Sequence, residues 1–102
     1  MGGFTMINRI LQAFHGELGD DNVENLLNTE EYQKNGFSIV NCPICGRKTL
    51  DMFWVCSGCG WEYDIFINYE ANEESLCNGC TPSEYRKQYL EVCRALIKKE
   101  NI

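Results

Sequence analysis

Two short steps of chain, Cys42-Pro43-Ile44-Cys45 and Cys56-Ser57-Gly58-Cys59, each hold a pair of cysteines separated by two residues, and ten residues lie between the steps. A C-x2-C turn aims two thiolates at one point, and two such turns facing each other close a tetrahedron around a metal that prefers sulfur. Gly46 and Gly60 follow the second cysteine of each step at the same offset, where the chain must bend past the ion. A single C-x2-C would read equally as a redox dithiol or as two buried thiols; the facing pair favours a metal. Four sulfur ligands leave no position open for water or substrate, so Cys42, Cys45, Cys56 and Cys59 are expected to hold one structural Zn2+. Iron accepts the same ligands. Structural zinc binds small peptides by about 10 to 16 kcal/mol, and that becomes folding free energy for the segment that carries it.

A chain of 102 residues is one folded unit, read here as a helical N-terminal extension over residues 1–36 and a ribbon with a C-terminal helix over residues 37–102. The expected fold class is α+β: a small zinc ribbon, built as a β-hairpin with a third strand, flanked by an N-terminal helical pair and a C-terminal helix. The net charge of -6 opposes a protein that holds nucleic acid by phosphate neutralisation, and favours a basic protein partner. The last segment alone is basic, with five bases and three acids over residues 81–102. No apolar run approaches a membrane span, and no export signal opens the chain. Seven cysteines without such a signal indicate reduced thiols and a cytoplasmic protein.

Along the chain, Ile7, Ile10, Leu11, Phe14 and Leu18 recur at helical spacing over residues 5–18. Asp21 and Glu24 resemble a cap for a second helix with Val23, Leu26 and Leu27 on its buried face, followed by a short turn that Gly36 ends. His15, the only histidine, has no partner at catalytic spacing and reads as a surface residue. Residues 37–40 and 52–55 predict strands that lead into the two cysteine steps, and Trp61–Phe66 predicts a third. Trp54, Trp61, Tyr63 and Phe66 lack interleaved lysine or arginine, so core packing is favoured over a stacking platform for bases. Thr81-Pro82-Ser83-Glu84 has the cap, the first-turn proline and the third-position glutamate of a helix start. The helix runs to about Glu100 and buries Tyr85, Tyr89, Val92, Cys93, Leu96 and Ile97.

Cys77 and Cys80 form a third C-x2-C, and Cys93 follows on the helix. A second metal at these three, completed by His15 or a carboxylate, stays open beside two other readings: free thiols, with Cys93 as a small core residue, and a redox dithiol. Glu62, Asp64, Glu70, Glu73 and Glu74 concentrate acid beside aromatic residues and are the candidate contacts for a basic partner.

The run Cys42-Pro43-Ile44-Cys45-Gly46, Thr49-Leu50, Cys56 through Asp64, Asn78-Gly79 and the helix after Thr81 resembles the bacterial cysteine-rich CPCC family over residues 42 to about 90. The chain departs from that family at Ile44, where the name-giving motif has a further cysteine, and at Cys77 and Cys80. The resemblance implies a small cytoplasmic bacterial protein and, as for some members, an immunity protein that binds and neutralises a secreted toxin domain. The expectation is therefore a zinc-stapled protein-binding module with no catalytic constellation. The alternatives are a nucleic-acid-binding ribbon, using Arg47, Lys48 and the C-terminal bases, and a thiol redox protein acting through Cys77 and Cys80.

Overall fold

The computed structural model describes residues 2–18, 34 and 36–100, the side chains of 2–5, 99 and 100 excepted. The expected second helix after Asp21 lies outside the described residues. The described elements are two helices, α1 (Gly2–Phe14) and α2 (Pro82–Glu100), and two strands, β1 (Ile39–Asn41) and β2 (Lys48–Leu50), an α+β arrangement with the four cysteines at the hairpin.

Helix α1 starts earlier and stops sooner than its apolar spacing predicts. Glu17 N donates to Gln12 O at 2.8 Å and Gly16 N to Ala13 O at 3.1 Å, while Gly16 takes φ +72°. This is a Schellman ending, in which a left-handed glycine lets the chain satisfy the last carbonyls and leave the helix. The buried face is set by Met6, Ile10 and Ala13, whereas Ile7 and Phe14 stay exposed. Ile10 packs in the same core as Trp61, Tyr85 and the cysteines, and α1 also lies against α2.

Strands β1 and β2 pair antiparallel, Ile39 with Leu50 and Asn41 with Lys48, so the first cysteine step is the tip of a hairpin. The strand predicted at 52–55 is therefore corrected: regular pairing follows the first step immediately, at 48–50. The later segment cannot continue it, because Met52 and Phe53 take φ +62° and +66°, outside the extended region. Phe53 N then donates to Tyr63 O and Tyr63 N to Trp54 O, two residues facing one, as in a bulge. The third strand expected over Trp61–Phe66 reduces to one isolated bridge, Val55 with Glu62.

Helix α2 begins as its sequence predicts. Thr81 Oγ1 accepts from Glu84 N at 3.2 Å, and the Glu84 carboxylate accepts from Thr81 N at 3.2 Å. Asn72 adds a clamp that local spacing could not announce: its Oδ1 accepts from Ser83 N and its Nδ2 donates to Ser83 Oγ. Tyr85 is fully buried edge-on to Trp61, ring centroids 5.1 Å apart, and Tyr89 and Val92 pack on the same core. Ile97, read as part of this stripe, is 53% exposed. Among the described residues no helix is long and apolar enough to cross a membrane.

Candidate metal centre

The two cysteine steps fold as matching turns. Cys42 N donates to Arg47 O and Gly46 N returns to Cys42 O; Cys56 N donates to Trp61 O and Gly60 N returns to Cys56 O. Gly46 and Gly60 take φ +79° and +86°, the left-handed conformation that closes each turn and that only glycine adopts without cost. Inside each, a backbone amide points at the first sulfur, Ile44 N to Cys42 Sγ at 3.5 Å and Gly58 N to Cys56 Sγ at 3.4 Å. Such amides favour the thiolate form.

The four sulfurs converge. Cys42 Sγ lies 3.5 Å from Cys59 Sγ, Cys45 Sγ lies 3.6 Å from Cys56 Sγ, and all four are within 4.8 Å of one another. Thiolates about 2.3 Å from a tetrahedral zinc stand about 3.8 Å apart, so the donor set and its spacing fit one such ion. Cys42, Cys56 and Cys59 are buried, and Cys45 is half-buried. Without a cation the thiols titrate against each other. The hydrogen bond with Cys42 draws Cys45 down to about 7 and lowers Cys56 as well, while Cys42 is pushed up by Cys45 and Cys59 by Cys42. A divalent cation removes this conflict by stabilising all four as thiolates at once.

Both helices close over the second turn, and α2 also reaches the first. Tyr85 donates its hydroxyl to Cys59 O at 2.8 Å, and Arg86 donates to Pro43 O. Gly60 is the point of closest approach: a Cβ there would lie 2.8 Å from Arg9 O and 2.9 Å from Tyr85 Oη.

Residues 75–80 repeat the same turn without its ligands. Ser75 N donates to Cys80 O at 2.9 Å, Gly79 N returns to Ser75 O at 2.7 Å, and Gly79 takes φ +76°. In this register Ser75 and Asn78 occupy the places of the two cysteines, while Cys77 and Cys80 fall on the positions of Gly58 and Trp61. Hydrogen bonds occupy the turn instead. Asn78 Oδ1 accepts from Arg9 Nη1 at 2.8 Å and Glu62 N at 2.9 Å, and its Nδ2 donates to Glu62 O and Ser75 Oγ, each at 2.8 Å. Ser75 Oγ donates to Asp64 Oδ2 at 2.7 Å. The sequence signal for this register is the glycine, which follows the second ligand in a true knuckle but precedes Cys80 here.

The third cysteine pair is thus divided. Cys80 is buried in the core, and burial pushes its thiol up to about 11. Cys77 is half-buried against Asp64 and Ser75, and burial raises it too. Cys93 sits on α2 beside Tyr89. Among the described residues only the four knuckle cysteines form a group of three or more His, Cys, Asp or Glu able to hold a metal, and exposed His15 joins no such group. A redox dithiol works through a depressed thiol pKa, and both Cys77 and Cys80 are shifted the other way.

The acids divide as well. Asp64 is buried, accepting from Phe66 N at 2.8 Å and from Ser75, and Glu62 pairs with Arg9 at 3.8 Å. Glu70, Glu73 and Glu74 are exposed. Of the aromatics read as core, Trp61 is, but Phe66 is 81% exposed.

The fold and site together define a cysteine-rich α+β module able to hold one metal ion. Comparison with known proteins finds no matching family model, no matching curated protein and no matching solved structure.

Proposed function

We propose that the chain is a zinc-stapled protein-binding module whose partner is a basic polypeptide. The observation that carries this reading is the closed site: four sulfurs within 4.8 Å of one another, three of the four cysteines buried, offer an ion no free coordination position. A metal so enclosed holds structure in place. Tyr69, whose hydroxyl accepts from buried Trp61 Nε1 at 3.2 Å, ties the loop after the second turn to that structure. The loop presents Glu70, Glu73 and Glu74 to solvent. Such a face on a chain of net charge -6 attracts a basic partner and steers its approach.

A particular case is immunity against a secreted toxin that acts on nucleic acid. The basic cleft such a toxin needs for phosphates is the surface an acidic inhibitor would cover. This case rests on the resemblance of residues 42 to about 90 to the CPCC family. The test is native mass spectrometry of the protein from its own host with metal and partner retained. One zinc and one basic polypeptide per chain is the expected result. Retention of DNA or RNA with a steep loss on adding salt would replace the reading with a nucleic-acid one, and a metal-free folded chain would remove it.

A further inference from the structure

We propose that the partner is gripped through an apolar side chain flanked by lysine or arginine, seated in the cleft between Phe66 and Leu76. This rests on the reading of a basic polypeptide partner and adds the place and chemistry of its contact. The cleft has a volume of about 380 Å³ and is walled by Phe53, Phe66, Ile67 and Leu76, with Glu73 and Glu74 on the same lining. Phe66 is 81% and Leu76 92% exposed, so two large apolar side chains stand in water at a concave, acid-lined surface. Exposed apolar surface rimmed by charge marks an interaction site more often than isolated apolar residues do.

The walls are formed in advance. The Phe66 ring lies 5.4 Å from that of Phe53, and Phe66 N is held by the Asp64 carboxylate. Asn68 Oδ1 accepts from the amides of Glu70 and Ala71, and the Glu73 carboxylate accepts from Asn68 N. Asn72 is locked on Ser83. A loop fixed in this way loses little freedom when a partner arrives. Charge selects the occupant: the exposed carboxylates of Glu73 and Glu74 favour cationic neighbours around the inserted side chain. They oppose a second copy of this chain, which itself carries -6.

The test uses the zinc-loaded full chain, 15N-labelled, titrated at low salt with a short peptide holding a phenylalanine between paired lysines. Two control peptides replace the phenylalanine with alanine or the lysines with glutamates. The expected result is amide shifts over residues 64–77, affinity at least about tenfold above the alanine peptide, and no binding of the glutamate peptide. Leu76→Ser and Phe66→Ser, both at exposed positions, should each weaken binding about fivefold or more with metal content and circular dichroism unchanged. Glu73→Gln with Glu74→Gln should weaken it and flatten its salt dependence. Equal affinity for the alanine peptide, or shifts mapping elsewhere on the acidic surface, would overturn the cleft while leaving a basic partner in place. No shift with any basic peptide up to about 1 mM would overturn both. A concentration-dependent dimer abolished by Leu76→Ser would assign the cleft to a second copy and overturn the proposal.

Discussion

At the scale of single residues, glycine and threonine show how position decides cost. Gly46 and Gly60 close equivalent turns with similar positive φ, yet a Cβ on Gly46 meets open space, whereas one on Gly60 meets backbone of α1 and the Tyr85 hydroxyl. Gly46→Ala should therefore cost about 1 to 2 kcal/mol, the penalty of the left-handed conformation alone. Gly60→Ala should cost at least about 2 kcal/mol more, because helix and helix must move apart. Urea unfolding of the zinc-loaded variants measures both, and equal losses would contradict the packing described. Thr49 on β2 is 2% exposed, and among the described residues its hydroxyl has no hydrogen-bond partner. Thr49→Val should be neutral or stabilising by about 1 kcal/mol, since it removes an unsatisfied buried group and keeps the shape. A loss above about 1 kcal/mol would show that the hydroxyl is engaged.

At the scale of elements, the third turn is held by side-chain hydrogen bonds where the first two are suited to a metal. Asn78→Ala should strip the side-chain hydrogen bonds to Arg9 on α1, to both backbone groups of Glu62 and to Ser75, and cost about 3 kcal/mol while leaving metal stoichiometry unchanged. A change in bound metal would mean the turns are not independent. Tyr69 links this loop to Trp61, and burial raises its hydroxyl to about 12 from an ordinary value of 10.0. Because the folded value lies above the unfolded one, the stabilisation is complete below about pH 10 and is lost as pH rises toward about 12. Tyr69→Phe should reduce the alkaline slope of stability across that window, and an unchanged slope would place the effect in another group. What could be read from sequence here was whatever is local. The C-x2-C steps and the Thr81 to Glu84 capping box both depend on residues three apart. The register of residues 75–80 depends on Arg9 and Glu62 meeting Asn78, and the burial of Asp64 on Ser75 meeting its carboxylate, contacts between separate stretches of the chain. The left-handed Met52 and Phe53, which displaced a predicted strand, have no propensity signal at all.

At the scale of the whole molecule, one cluster of cysteines sits where α1, α2 and the hairpin meet. Ile10, Trp61, Tyr85 and Cys80 pack directly on it, so the metal site and the apolar core are one body. Removing the ion leaves buried thiols whose ionisation is mutually opposed, and a chelator should cause loss of tertiary structure rather than local loosening. Acid should do the same, because protons compete with the metal for the four thiolates. X-ray absorption at the zinc edge of the purified protein tests whether a closed all-sulfur site staples this arrangement. One zinc per chain with four sulfurs at about 2.3 Å is the predicted result. A shell containing nitrogen or oxygen, or fewer than four sulfurs, would contradict it.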